Sequence, residues 1–509
     1  MREERWRPRL STEFKAALRR HAGDIVAAVL LYGAVSLAVG RVFRFVFDDE
    51  VYSLDVAGTL PLGRIVALYS TGRDVHPPLA YIVTWLLHAL GVGEAGMRLV
   101  ALALTALALS LFLVLTLMLL ARRGAVTPFA RAAAVLLFGL NALAISQGDA
   151  LRWYPLFAAE VAVAVTLYVA AANDAARLAA AAMVGVAAST NFLAAFVVAP
   201  LAIYRYGLER RFAWRADAAL WLTVLVFGGL GVAAAVSVLA GHPQLVGRQL
   251  GTSMATAVGL DVLGFFGGHA LGLGQAWIVL PAILVSLAAA FGVVDRKQRA
   301  DPAHLFLIML IAVAPLPLFG FGKPRSFLYL APMLAAVQVL YLDRLAQRRV
   351  AAALIAMALL VAPAVAAIAN IQGTTHPFKR EAVVPYDELV AAIDANAEGR
   401  VLVVSSDPAL AWILTHQRAR PERCVSYFFG NPACFADTGG YGTIVIVGGH
   451  QARAANVTVG HRAGRIAALV AGRRKVATVP VGYDADAVLK SRLTGTPLTA
   501  ALLTVDIYR

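Results

Sequence analysis

The chain has 509 residues, 60% of them apolar and 15% charged, with a mean hydropathy of +0.73; this excludes an ordinary water-soluble globule and fits a polytopic membrane protein. The formal net charge of +15 would suit a nucleic-acid partner in a soluble chain. In a membrane chain it reads as arginine-rich loops held on the cytoplasmic side, and no nucleic-acid partner is expected.

Residues 1–23 form a basic tail ahead of the first apolar run at 24–45. No small-residue cleavage site precedes Arg41, so the run reads as a retained signal anchor. Further runs of spanning length, about 20 residues each, lie at 98–121, 126–146, 153–172, 217–240, 272–294, 303–320, 327–343 and 350–371. Two stretches are ambiguous: HPPLAYIVTWLLHAL at 76–90 is short for a crossing, and 176–206 is either one long helix or two short ones broken at Ser189, Thr190 and Asn191.

Lys and Arg in short loops resist translocation, so their distribution decides between the options. With 76–90 on the membrane surface and 176–206 taken as a pair, the basic tail, Arg122, Arg123, Arg131, Arg177 and the clusters at 204–215, 295–299 and 343–349 share one face. The expected architecture is a polytopic α-helical membrane protein of about eleven spans in a bacterial inner membrane, with a cytoplasmic N-terminus. The spans occupy 24–371, with a first outer loop at 46–97, and residues 372–509 form a periplasmic domain. That tail carries a buried-strand pattern at RVLVVSSDPALAWILTH, running into a helix, and a second at YGTIVIVGGH, so a small α/β domain is expected. Cys424 and Cys434 are the two cysteines of the chain, and the topology places them in an oxidising compartment, which makes them candidates for a disulfide, with two thiols as the alternative.

The same topology gathers ionisable side chains on the outer face: Asp48, Asp49, Glu50 and His76 in the first loop, Asp149, Arg152 and Tyr154 in SQGDALRWYPL, and Lys323 and Arg325 in GFGKPRSFLY. Nucleotide-activated sugars are made in the cytosol, so outward-facing transfer needs a donor that has already crossed, such as a sugar on a polyprenyl phosphate. Such a reaction needs a carboxylate to take a proton from the acceptor hydroxyl and cations to hold the phosphate as charge develops. Asp49 suits the first task; Arg152, Lys323 and Arg325 suit the second. Interfacial Arg and Tyr also arise without function, as anchors.

The order DDE (48–50), YSTGRDVHPPLAYIV (69–83), GVGEAGMRLVALALTALAL (91–109) and SQGDALRWYPL (146–156), followed by KPRSFLYLAPM (323–333), resembles membrane glycosyltransferases of the GT-C class. It is similar to bacterial relatives of the dolichyl-phosphate-mannose protein mannosyltransferases and to the lipid A aminoarabinose transferase. The resemblance covers about 24–210 in ordered motifs. It implies a GT-C fold, Asp49 as the catalytic carboxylate, base or orienter, and Glu50 in acceptor or substrate contact; Asp149, aligned with the acid of the family's Arg-x-Tyr loop, is expected to support the site. It further implies that Asp48, His76, Arg152, Tyr154, Lys323 and Arg325 lie toward substrate and phosphate. The lipid A enzyme has Lys where this chain has His76, and the acid of the Arg-x-Tyr loop falls three residues before Arg152; both are departures from the pattern.

The expected activity is inverting transfer from a polyprenyl-phosphate sugar to a hydroxyl of a lipid, polysaccharide or protein acceptor. A divalent ion (Mg, Mn or Ca) on the paired carboxylates is left open, and no His/Cys cluster of zinc spacing occurs. Three other readings stay open on sequence alone: a flippase of lipid-linked sugars, an O-antigen ligase or polymerase using diphosphate-linked donors, and a non-catalytic scaffold built on the GT-C fold.

Overall fold

The computed structural model describes residues 7–44, 48–70, 76–170, 174–209, 254–268, 273–293, 301–314, 324–371, 384–426, 432–435, 439–449, 463–483 and 500–509, with single positions between them. The chain divides into two compact units, Met1–Phe43 with Leu54–Gly373, and Arg44–Ser53 with Thr374–Arg509.

The first unit is helical throughout. Its elements are α1 (Arg7–Arg20), α2 (Ala22–Ala38), the latter part of α3 (Asp48–Thr59), α4 (Leu62–Ser70), α5 (Leu79–Ala89), α6 (Glu94–Arg123), α7 (Pro128–Gly139), α8 (Ala142–Gln147), α9 (Trp153–Val169), α10 (Asp174–Thr190) and α11 (Ala195–Ala202). They continue with α12 (Met254–Gly267), α13 (Ala276–Val293), α14 (Pro302–Val313), α15 (Ala331–Ala346) and α16 (Val350–Ile371). Five helical stretches among the described residues are long and apolar enough to cross a membrane, or six if the bent pair α1–α2 is one span; five shorter apolar helices accompany them. The expected eleven spans include 217–240, most of which lies outside the described residues. At about 1.5 Å per residue, the 11 residues of α5 fall well short of a ~30 Å hydrocarbon core, as do the 12 of α14. The pair at 176–206 is broken at Asn191, whose side chain accepts from the Leu193 N–H and starts a new turn.

The spans show the inverse of a soluble protein's surface. On α13, Trp277, Leu280, Leu284, Leu287 and Phe291 recur at helical spacing and are all exposed, Phe291 by 83%. A one-sided apolar stripe of this kind faces lipid. Inward, the helices close on a continuous core running from Tyr32 and Phe112 to Phe306 and Leu340.

Ion pairs sort the two ends of this bundle. At one end, Asp24 binds Arg131 and His21, Glu13 binds Arg122, Arg123 binds Asp301, and Asp343 accepts from Thr127. These residues mark the start of α2, the end of α6, the start of α7, the start of α14 and the end of α15, so Arg122, Arg123 and Arg131, three of the basic residues that the charge rule puts together, share one layer. Local caps fix the turns: Thr127 and Asp301 each stand before a proline at the first helical position and accept a backbone N–H of the following turn. The opposite ends of α2, α6 and α8 and the start of α9 converge on the site described below.

The second unit contains a five-stranded sheet ordered β2-β1-β3-β5-β4, from β1 (Val401–Ser405), β2 (Arg423–Ser426), β3 (Thr443–Gly449), β4 (Lys475–Val481) and β5 (Leu503–Tyr508). β1, β2 and β3 run parallel and β5 antiparallel to both β3 and β4. The continuous run VLVVS is buried at every residue, as a central parallel strand requires, whereas β5 alternates buried and half-buried. Pro480 is tolerated because β4 is an edge strand. Helices α17 (Tyr386–Ala395), α18 (Pro408–Trp412) and α19 (Ala463–Val470) accompany the sheet. Cys424 on β2 and Cys434 form a disulfide with Cα atoms 5.5 Å apart, closing a loop of sequence separation 10.

Candidate active site

The site end of the first unit is organised around a buried carboxylate. Asn141 caps α8 by accepting from the Ala144 N–H, and the helix delivers Ser146, Gln147, Gly148 and Asp149, all of them buried. Asp149 Oδ1 accepts from Arg41 Nε at 3.1 Å and Nη2 at 2.8 Å, and its Oδ2 lies 3.5 Å from Arg98 Nη1. Arg41 also donates to the Ser146 carbonyl, and Arg98 to the Asp149 carbonyl. Arg41, Arg98 and Asp149 are 1%, 0% and 0% exposed. Charges so far from water persist only when paired and hydrogen-bonded, so this triad ties the end of α2 and the start of α6 to the α8–α9 turn.

The close approach has a steric requirement. A Cβ on Gly148 would stand 2.1 Å from the Tyr32 hydroxyl oxygen and 2.5 Å from the Ala144 carbonyl, so only glycine lets α2 and α8 meet here. Thr105 Oγ1 donates to the Gly148 carbonyl at 3.1 Å, which adds α6 to the same turn.

Beyond Asp149, an aromatic ladder forms. His76 lies 6.3 Å from the ring of Trp153, Trp153 packs edge-on against Tyr154 and Phe157, and Phe157 against Tyr329. The Arg325 guanidinium lies 5.9 Å from the Tyr154 ring centroid. Among the described residues, neither amide atom of Gln147, nor Trp153 Nε1, nor the Tyr329 hydroxyl has a hydrogen-bond partner. Buried polar groups in that condition are uncommon and mark candidate ligand contacts.

A groove opens between α5, α6 and the start of α9. Its wall is apolar, formed by Val83, Leu87, Val100, Leu104 and Leu156, and Arg152 lines it as a cation. The combination suits an amphiphile with an anionic head.

The second unit holds another buried pair. Arg44 donates from Nη1 and Nη2 to the two carboxylate oxygens of Glu50 at 2.8 and 2.6 Å, with Glu50 at 0% exposure. Glu50, expected in substrate contact, is thus held in a two-pronged ion pair, the geometry of a positioning group. Asp48 and Asp49 occupy the first turn of α3; their side chains, and Lys323, lie outside the described residues, as does any metal site on the two aspartates. Among the described side chains, no group of three or more His, Cys, Asp or Glu gathers as a metal site.

Of the site residues expected from sequence, Asp149, Arg152, Tyr154, His76 and Arg325 all belong to the first unit. Asp149 is an ion-pair hub, Arg152 lines the groove, and Tyr154 carries Arg325. Arg41, Arg44 and Arg98 were missed. Their signal was available: an arginine within or bounding an apolar run is costly unless partnered, and two of these stand in GRVFRFVFDDE just before the acids.

No protein-family model matches this sequence, and no curated protein matches it. Among solved structures, the chain is similar to an ArnT from Cupriavidus metallidurans bound to undecaprenyl phosphate, at TM-score 0.49 and 14% identity, over 96% of this chain and 98% of that one. It is also similar to an Archaeoglobus fulgidus oligosaccharyltransferase. One structure of that protein is a complex with Zn and sulfate (TM-score 0.45, 14% identity, 92% of this chain and 70% of that one). Another is tethered to an acceptor peptide containing the NVT sequon (TM-score 0.46, 15% identity, 85% and 69%).

Proposed function

We propose that this chain transfers a sugar, with inversion, from a polyprenyl-phosphate-linked donor to an acceptor hydroxyl at the periplasmic face of a bacterial inner membrane. The observation that carries the reading is the apolar groove lined at the start of α9 by Arg152: its wall has the chemistry that an isoprenoid tail meets, and its guanidinium is of the kind that holds a phosphate. The acceptor is a lipid, polysaccharide or protein hydroxyl.

In this reading Asp49 takes the acceptor proton as the anomeric carbon is attacked, and the carrier phosphate leaves with the bonding pair. Arg152, with Lys323 and Arg325, stabilises the charge that builds on that phosphate. Glu50 holds Arg44 and keeps the acidic turn in one geometry, while the Arg41–Asp149–Arg98 triad sets the α8–α9 turn from which Arg152 extends. His76 and Tyr154 border the sugar. Gln147 and Tyr329 supply hydrogen bonds to hydroxyls, which would pair their otherwise unpartnered groups.

The test is direct. Purified protein in nanodiscs, offered carriers bearing one phosphate and carriers bearing two, should release free polyprenyl phosphate from the first only. Asp49→Asn should abolish transfer while the protein remains folded and in the membrane, with kcat falling more than donor affinity. Near-normal turnover by Asp49→Asn would remove the assigned base; turnover of diphosphate carriers alone would replace the donor; and carrier movement across the bilayer without release would make the chain a flippase.

A further inference from the structure

We propose that α1 is an interfacial helix that binds the anionic phospholipid headgroups of the leaflet on the basic side of the bundle, a contact separate from any sugar chemistry. Three observations on the first unit combine. The segment Thr12–Arg20 of α1 is bent 65° from the apolar helix Ala22–Ala38. Helix α2 shows a lipid-facing line of exposed Val26, Leu30 and Leu37, so a segment bent this far from it runs closer to the membrane plane than to its normal. One face of α1 is then fixed on the protein: Ala17 is buried, Phe14 packs against the core, and Glu13 pairs with Arg122.

That fixation determines what the other face presents. Lys15, Arg19 and Arg20 are exposed and have no ion pair among the described residues. Lys15 and Arg19 stand one helical turn apart. Leu18 is 44% exposed beside them, an apolar group among cations, which is the pattern of a helix seated at the headgroup boundary. Arg131, with its side chain 49% exposed while bound to Asp24, extends the positive surface at the same end of the bundle. A protein partner with an acidic face would meet the same charges. The bend beside a span and the flanking Leu18 favour the membrane, because both place the cations at headgroup depth.

The experiment uses the full chain carrying Ala16→Cys, an exposed position, labelled with an environment-sensitive fluorophore; the chain's own two cysteines are paired. Phosphatidylglycerol is introduced in steps into phosphatidylcholine nanodiscs. The emission should shift blue as the anionic lipid rises and revert when sodium chloride is added. Lys15→Gln/Arg19→Gln/Arg20→Gln should need more anionic lipid for the same shift, by about fivefold per cation removed, with an unchanged Tm. Emission independent of lipid composition, or a salt-insensitive response, overturns the proposal. So does a full response in the triple variant. If that variant does not fold, the salt reversal on the parent chain decides.

Discussion

At the scale of single residues, the buried charges divide into those that hold the site and those that face it, and the two kinds respond differently to substitution. The Asp149 carboxylate accepts from Arg41 and is ion-paired with Arg98 out of reach of water, so Asp149→Asn leaves buried positive charge without its counter-ion, at a cost of about 3–5 kcal/mol. A large fall in Tm is expected, with transfer lost as a consequence of misfolding. Arg152→Met removes the cation lining the groove; KM for the carrier should rise, since a charged hydrogen bond contributes about 1.5–3 kcal/mol, and Tm should fall by much less than in Asp149→Asn. Thermal unfolding and steady-state kinetics on the two variants separate the roles, and equal Tm losses would place Arg152 with the framework. Gln147 allows a sharper comparison. Its two amide atoms are buried without partners among the described residues, so Gln147→Leu should leave Tm unchanged or raise it. Transfer should nevertheless fall, because a ligand contact is gone. A lowered Tm would show that the amide is satisfied in the folded protein.

At the scale of elements, what could be read from the sequence was whatever is encoded locally. The break at Asn191, the short helix behind HPP and the Asp-Pro start of α18 each follow from side chains within one turn of the feature they produce. The role of Arg41 was not legible, because its partner Asp149 is 108 residues away and an arginine at the end of an apolar run looks the same whether it snorkels or is paired. Motif order places Glu50 in substrate contact; its pairing with Arg44, only six residues distant, depends on the turn that brings them together. Gly148 belongs to the same class, since nothing local says that Tyr32 will lie across it. Gly148→Ala should therefore lower Tm, and Tyr32→Phe in the same chain should recover part of the loss by removing the hydroxyl 2.1 Å from the new Cβ. No recovery would locate the strain at the Ala144 carbonyl instead. In the sheet domain, burial pushes the Asp407 carboxyl up to about 6, while hydrogen bonds from the Leu410 and Ala409 N–H groups and Tyr386 oppose the shift. The raised value means that the native state holds a proton the unfolded chain has already released between about pH 4 and 6. Stability from this group is therefore greatest at the acid side and falls as pH rises through 6, by on the order of 2–3 kcal/mol. Asp407→Asn keeps the cap and removes the titration. Hydrogen exchange of the β1 amides, measured across that range, should lose this pH dependence in the variant and keep it in the parent.

At the scale of the whole molecule, the decisive property is that the first unit has two chemically different ends. One is a layer of ion pairs joining Arg122, Arg123 and Arg131 to Glu13, Asp301 and Asp24; the other is the Arg41–Asp149–Arg98 cluster with the groove beside it. Helix α6 connects them directly, with Arg98 in its first turns and Arg122 in its last, and its 30 residues give about 45 Å of rise, enough for the hydrocarbon core and both headgroup layers. A lipid-linked donor that has crossed the membrane is reachable only if the Asp149 end faces away from the cytosol. Gly93 is exposed at the start of α6 and Arg348 is exposed just past the end of α15, and the native cysteines are paired, so single cysteines at these two positions report the two ends without background. With a membrane-impermeant maleimide on intact spheroplasts, Gly93→Cys should label at once and Arg348→Cys only after permeabilisation. Labelling of Arg348→Cys alone would invert the protein and expose the groove to the cytosol, where nucleotide sugars are the available donors; labelling of both would mean that the helix joining them does not cross.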